Sequence, residues 1–245
     1  AAEGRVLLAL AARHREAAGQ PAEAATLWLK AAEGAAVEGL PVETLSLCKE
    51  SARCAPAALA HFTAARALHQ LGRLSESEES VRAAEAAGAE FPGAAWQIPG
   101  LRAQILERTG DYPASLACAA EAVARCTDTE DRARARLVVA VTLGSMARYD
   151  EALETLAVVE PETAALPEPA RRSILGSVWI QRGTVERSRG RLVKSLACHQ
   201  KALDLAQGRA RKDVANVRMS MAAVLDRLGR TREALDLYRE ALADY

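Results

Sequence analysis

Aromatic side chains are scarce in this sequence. They make up 4% of its 245 residues, although half of all residues are apolar and alanine dominates that half. Sustained alternation of β-branched and polar residues is also missing, which argues against strands. Alanine has the highest helix propensity, and its small side chain lets helices approach closely. The composition therefore predicts a helical protein, and the lack of interleaved aromatics argues against binding single-stranded nucleic acid by base stacking.

Net charge is absent as well. Lys+Arg and Asp+Glu number 32 each, so no overall field attracts nucleic acid or an anionic membrane. The basic stretches 132–136 and 209–213 could grip an acidic partner or nucleic acid. Acidic stretches such as 76–79 offset them, which favours solvated helix faces. We expect neither a nucleic-acid nor a membrane partner.

Long apolar runs and export signals are also missing. No stretch approaches the ~20 apolar residues that span a bilayer, and the chain opens in a helical pattern without a signal peptide or an initiator methionine before Ala1. The five cysteines are scattered without a CxxC pair, which favours buried, reduced thiols over a disulfide framework or a zinc site. Reduced thiols predict a cytoplasmic protein. The cysteines are Cys48, Cys54, Cys118, Cys126 and Cys198.

Signatures of catalysis are missing too. The sequence has no GxxxxGK[ST] loop, no GxSxG elbow, no HExxH motif and no GxGxxG after a strand. His61 and His69 lie eight residues apart on one predicted helix, too far to share a metal without a third helix. Cys198 and His199 are neighbours that point in different directions around a helix. We therefore expect no enzymatic activity, no metal and no cofactor.

A short turn signal followed by an amphipathic helix recurs seven times. The spacings between successive turns are 20, 33, 38, 37, 43 and 39 residues. Self-similarity at this period is typical of a solenoid of helical hairpins, in which each unit buries its apolar face against its neighbours. The turn positions are Gly19, Gly39, Gly72, Gly110, Ala147, Gly190 and Gly229.

Thirteen helices are predicted from the turns, the prolines in first turns and the capping Asp111 and Asp150. The longest predicted interruption, 160–169, contains three prolines and is either a hinge or a plain loop between repeats. The predicted helices cover 3–18, 22–38, 41–54, 57–71, 74–88, 95–109, 112–126, 130–147, 149–160, 168–189, 191–207, 210–228 and 231–244.

Aligning the units so that each turn residue is position 15 brings small residues together at positions 8, 20 and 27. Position 20 holds only Ala, Ser or Thr, position 8 only Ala or Gly, and position 27 is small in all but one unit. In this pattern the chain resembles the tetratricopeptide repeat, and 228–242 is the best single match. The resemblance implies an all-α, right-handed superhelical solenoid of antiparallel hairpins as one domain over 1–245. Its units would be 5–38, 25–54, 57–88, 95–126, 130–160, 168–207 and 210–244.

The N-terminal stretch 11–32 carries a narrower resemblance. It is similar to the start of the repeat arm that follows the nucleotide-binding module of large bacterial signal-transducing ATPases. This resemblance implies that the chain is a piece of a longer protein and acts as its sensor or partner-binding arm.

The family resemblance also implies a ligand surface, the concave groove lined by the first helix of each unit. Its lining would mix apolar residues with Arg, Gln and Asn donors, which suits an extended peptide or a partner helix. The implied groove residues are Phe62, Arg66, His69, Gln70, Gln97, Leu101, Gln104, Arg108, Arg134, Val138, Val141, Gln181, Thr184, Arg187, Asn216 and Ser220.

These observations predict a non-catalytic scaffold that binds a protein or peptide. The alternative is a regulatory arm acting in cis within a multidomain bacterial signalling ATPase, kinase or protease. Self-association through the ends of the array also stays open.

Overall fold

In the computed structural model, which describes residues 2–88, 90–206 and 211–244 without the side chains of 211 and 212, every regular element is helical. The described part contains thirteen α-helices, one 3-10 turn and no strand, so the predicted all-α hairpin fold is confirmed. The helices are α1 (Ala2–Ala17), α2 (Pro21–Val37), α3 (Pro41–Cys54), α4 (Ala58–Gln70), α5 (Leu74–Ala86), α6 (Ala94–Thr109), α7 (Tyr112–Ala124), α8 (Thr129–Ser145), α9 (Tyr149–Glu162), α10 (Glu168–Ser188), α11 (Leu192–Leu205), α12 (Arg211–Arg227) and α13 (Thr231–Asp244).

Helix ends agree with the predicted ones to within two residues wherever the structure describes them. The predicted end of α11 at 207 and the predicted start of α12 at 210 lie outside the described residues. Local chemistry explains the agreement, because the turn glycines adopt positive φ, as in Gly72 at 75°, and so end the preceding helix at no steric cost. Ala147 is the exception, since it takes the same left-handed conformation, at φ 59°, with a side chain.

The proline-rich stretch after α9 is shorter as a loop than predicted. Helix α9 runs through Pro161 to Glu162, and a 3-10 turn then covers Thr163–Ala165. Proline at 161 removes only one hydrogen bond of the last turn, and the fully buried Thr163 donates its hydroxyl to the Glu160 carbonyl at 2.8 Å. One apolar cluster joins α8, α9 and α10 through side chains such as Ala140, Leu156 and Ile174. This packing indicates that the stretch between α9 and α10 is a plain loop between repeats and argues against a hinge.

Small residues lie at the helix crossings, as the repeat alignment predicts, with Val159 at position 27 as the larger exception. The residues at positions 8, 20 and 27 of all seven units are buried. In two hairpins a position-20 hydroxyl donates to the position-8 carbonyl of the partner helix, from Ser77 to Ala65 at 2.8 Å and from Ser195 to Gly183 at 2.7 Å. Such close contacts need small side chains at positions 8 and 20.

Three second helices begin with the same ion pair. The arginine before the helix binds the glutamate three residues later through its Nε and Nη2, as Arg148 does with Glu151 at 2.6 Å for each bond. Arg73 pairs in the same way with Glu76, and Arg230 with Glu233. In each pair the guanidinium lowers the pKa of the carboxyl group. The pair also places an acidic side chain in the first turn, where the helix dipole favours it.

The chain divides into two compact units, Ala1–Thr109 and Gly110–Tyr245. The first contains α1–α6 and the second α7–α13. Within each unit the core is a series of small clusters between neighbouring helices, such as the one that Phe62 and Ile98 share with α5 in the first unit. Short-range clusters of this kind are typical of repeat proteins.

Candidate functional site

The sixteen predicted groove residues lie on the first helices of the repeats. In the first unit they lie on α4 and α6, and in the second on α8, α10 and α12. Three of them are buried: Phe62 and Leu101 belong to one apolar cluster of the first unit, and Val138 is 8% exposed. These three therefore contribute to packing and offer no surface to a ligand. The others are half-buried or exposed.

Three predicted residues of the first unit come together between α4 and α6. The Arg108 Nη1 donates to the His69 carbonyl at 2.7 Å. Burial lowers the pKa of His69, the positive charge of Arg108 lowers it further, and a hydrogen bond with the Gln104 backbone opposes both. The His69 Nε2 is buried and has no hydrogen-bond partner in the described part of the chain. Arg108 is exposed, and the guanidinium N–H groups that His69 does not use can donate to a polar ligand.

Other predicted residues of the first unit are more open. Arg66 and Gln70 on α4 are exposed, and Arg66 makes no ion pair with any described residue. Gln97, half-buried on α6, makes a long hydrogen bond to the Pro92 carbonyl at 3.4 Å. Arg66 is therefore a cation whose partner would have to come from outside the described chain.

In the second unit several predicted residues already have partners on their own helix. Arg134 binds Glu130 at 2.7 Å. The Thr184 hydroxyl donates to the Ile180 carbonyl at 3.1 Å. The Ser220 hydroxyl likewise donates to the Asn216 carbonyl at 3.0 Å, while the Asn216 side chain is exposed. The hydroxyl donors of Thr184 and Ser220 and the Nε and Nη2 of Arg134 are thus engaged within the protein, although the two hydroxyl oxygens can still accept from a ligand.

Three further predicted residues of the second unit are half-buried: Val141, Gln181 and Arg187. Arg187 makes no ion pair with a described residue, and its charge is felt by the buried His199 on α11, whose pKa it helps to lower. It therefore matches Arg66 of the first unit as an unneutralised donor group.

Sequence reasoning missed a cavity of the second unit. A cavity of about 430 Å³ opens between α9, α10 and α11. None of the sixteen predicted residues lines it, because it lies where second helices of adjacent repeats flank a first helix. The sequence gives little indication of this cavity. Trp179 stands at a repeat position where a bulky residue packs, and its ring is half-buried because of the spacing between the helices.

Groups that could bind a metal are dispersed. Among the described residues no three or more His, Cys, Asp or Glu side chains come together. None of the five cysteines forms a disulfide; Cys48 is buried and the other four are half-buried. Burial raises the pKa of Cys48 to about 12 and that of Cys126 to about 11. Both thiols are therefore protonated and poor nucleophiles near neutral pH. No helix in the described ranges is both long and apolar enough to cross a membrane.

Comparison with known proteins agrees with this architecture. Residues 175–245 match the family model of the tetratricopeptide repeat. A search of curated proteins finds no matching sequence.

Solved structures extend the likeness to nearly the whole chain. The Cut9–Hcn1 hetero-tetramer of the APC/C is similar at TM-score 0.69 and 14% identity, covering 98% of this chain and 43% of the other. A Rap protein in complex with the competence and sporulation factor is similar at TM-score 0.67 and 10% identity, covering 100% and 77%. BtubC from P. vanneervenii is similar at TM-score 0.57 and 16% identity, covering 85% and 89%. At these identities the likeness establishes the fold.

Proposed function

We propose that the chain is a non-catalytic scaffold that binds a protein or peptide on the first helices of its repeats. The observation that carries the proposal is the pair of unneutralised arginines, Arg66 in the first unit and Arg187 in the second. Each lies on a first helix among amide groups such as Gln70 and Gln181. Guanidinium and amide donors of this kind bind peptide carbonyls and carboxylates.

A preformed helical surface supports the same function. The helices are fixed by buried crossings, so binding costs little ordering of the scaffold itself. The Rap protein, which shares the fold, was solved in complex with a factor, and we extend the role of ligand-binding scaffold to this chain. The proposed contact residues are the thirteen predicted residues that are half-buried or exposed, which leaves out Phe62, Leu101 and Val138.

A peptide selection tests the proposal. Random peptides are displayed and selected on the immobilised chain, and the enriched peptides are titrated against Arg66→Glu and Arg187→Glu. We expect at least one variant to weaken binding roughly tenfold, the loss that follows when a charged hydrogen bond becomes a repulsion.

Arg239→Glu is the matched control, because Arg239 is exposed on the second helix α13 and has an i,i+3 partner in Asp236. It should bind like the wild type. Selected peptides that bind both arginine variants and the control with one affinity would remove the first helices as the binding surface.

The alternative function, a regulatory arm in cis within a bacterial signalling ATPase, kinase or protease, rests on the resemblance of stretch 11–32. The gene sequence flanking this chain tests it directly. A P-loop or kinase signature encoded upstream in the same reading frame supports the arm. A flanking sequence that encodes no such module in the same protein contradicts it.

A further inference from the structure

The cavity between α9, α10 and α11 is a second candidate site, separate from the proposed peptide surface. Its volume of about 430 Å³ falls in the range of pockets that bind small ligands or side chains. Leu153 of α9 and the half-buried Trp179 of α10 give it an apolar lining. Apolar side chains can therefore be buried there.

Positive charge gathers around the indole ring. The Lys201 Nζ lies 4.1 Å from the Trp179 ring centroid, and the Arg182 Cζ lies 4.7 Å from it. Arg182 also binds Glu160 at 3.1 Å. Lys201 and Lys194, both on α11 and both lining the cavity, make no ion pair with a described residue. The two lysines therefore leave a positive rim that this part of the chain does not neutralise.

One acceptor inside the cavity also lacks a donor. The Glu186 side chain lines it and is 9% exposed, and its Oε2 is buried with no hydrogen-bond partner among the described residues. The nearest cation, the Nη1 of Arg191, is 3.7 Å away, which is an ion pair but too long for a hydrogen bond. A buried carboxylate oxygen in this state gains from any N–H that a ligand brings.

We propose that this cavity binds an acidic peptide segment. Carboxylates of the segment bind Lys194 and Lys201, a backbone N–H donates to the Glu186 Oε2, and an apolar side chain packs on Trp179. The two lysines are seven residues apart on one helix, about 10 Å along its axis. That spacing matches glutamates three residues apart in an extended polyproline-type segment, which rises about 3.1 Å per residue.

Fluorescence anisotropy with a defined probe tests the proposal. The probe is a fluorescein-labelled nonapeptide of three Glu-Leu-Pro repeats, and its control has glutamine in place of glutamate. We expect saturable binding of the glutamate peptide alone at low ionic strength. The double variant Lys194→Glu, Lys201→Glu should weaken binding roughly tenfold, the effect of removing two partly exposed ion pairs.

Matched controls separate binding in this cavity from binding elsewhere on the chain. Lys30→Glu changes an exposed lysine on α2 of the first unit and should leave binding unchanged, as should Arg66→Glu on the proposed peptide surface. Circular dichroism verifies the fold of each variant. If charge reversal unfolds the chain, the double variant Lys194→Gln, Lys201→Gln replaces it in the binding measurement. Absence of binding, equal binding of the glutamine peptide, or equal affinity in the double variant would each overturn the proposal.

Discussion

The imidazole ring of His199 lies directly against Gly183. A Cβ atom added at Gly183 would come within 2.6–2.8 Å of three ring atoms. His199 is fully buried, and neither ring nitrogen has a hydrogen-bond partner among the described residues. The ring occupies repeat position 24, where other units carry the bulky Trp28 and Tyr238. It therefore fills the space that the missing side chain of Gly183 leaves on α10.

We predict that Gly183→Ala destabilises the protein. The added methyl group has to displace the His199 ring, and overpacking of this kind costs about 1–3 kcal/mol. In the double variant with His199→Ala, the same substitution should become stabilising, because alanine is about 1 kcal/mol better than glycine within a helix. Urea unfolding of the four proteins measures both effects. An unchanged cost of Gly183→Ala in the absence of the ring would show that the contact is unimportant.

Acid should destabilise the protein through His199. Burial lowers the pKa of His199 to about 4, with a further contribution from the charge of Arg187, whereas an unfolded histidine titrates near 6.5. Between these two pKa values, the unfolded chain therefore binds a proton at His199 that the folded chain does not bind. Stability contributed by the neutral ring is complete above about pH 6.5 and declines towards pH 4, by on the order of 3 kcal/mol.

His199→Phe is the matched variant for that pH dependence. Phenylalanine keeps the bulk of the ring and removes its titration, while His69, whose pKa is also lowered, remains in both proteins. The difference in free energy of unfolding between wild type and variant should change steadily, to the disadvantage of the wild type, as pH falls from 7 to 4.5. A constant difference over that range would contradict the assignment.

Ala147→Gly should stabilise the protein. Ala147 holds a left-handed conformation at φ 59°, which costs a non-glycine residue about 1–2 kcal/mol. Glycine removes that strain but loses more chain entropy on folding, so we expect a net gain of roughly 0.5–1 kcal/mol. Thermal unfolding measures it.

Gly229→Ala provides the reciprocal control at the last turn. Gly229 has φ 75° and nothing within 4 Å of an added Cβ, so only backbone strain should act. We expect a loss of about 1 kcal/mol. Equal melting temperatures for all three proteins would mean that these turns store no strain.

Cys48 should resist alkylation in the folded protein. It is 2% exposed, and burial raises its pKa to about 12, so its reactive thiolate is rare at pH 8. Mass spectrometry after iodoacetamide treatment should find Cys48 unmodified in buffer and modified in urea. Cys198, half-buried on α11, is the comparison thiol. Modification of Cys48 at the rate of Cys198 in the native state would contradict the expectation.

Helix positions were predictable because their determinants are local. A turn residue at positive φ, as at Gly72, ends one helix, and a proline such as Pro41 starts the next. Small residues at the crossings were equally readable, since every unit repeats them. The end of α9 was predicted two residues early because a proline, which cannot donate to the preceding turn, usually ends a helix. Here the helix continues to Glu162, and the buried Thr163 closes it through the Glu160 carbonyl.

The surface was less predictable because it depends on which neighbours cover a residue. A repeat position on a first helix indicates in which direction around that helix its side chain points. It does not show what covers the side chain: the ring centroid of Phe62 on α4 lies 5.0 Å from that of Phe91, which belongs to no regular element. The cavity at Trp179 depends on the distance between α9 and α11, which no residue pattern within a single helix encodes.

The hydroxyl-to-carbonyl bond between Ser195 and Gly183 has a mechanical consequence. If α11 slid along α10 by one residue, Lys194 or Leu196 would enter a crossing that accepts only a small side chain, and the bond would break. Each hairpin with this bond therefore keeps its register. We therefore expect any motion that a bound partner induces in this region to be a tilt of whole hairpins, with no sliding of one helix past its mate.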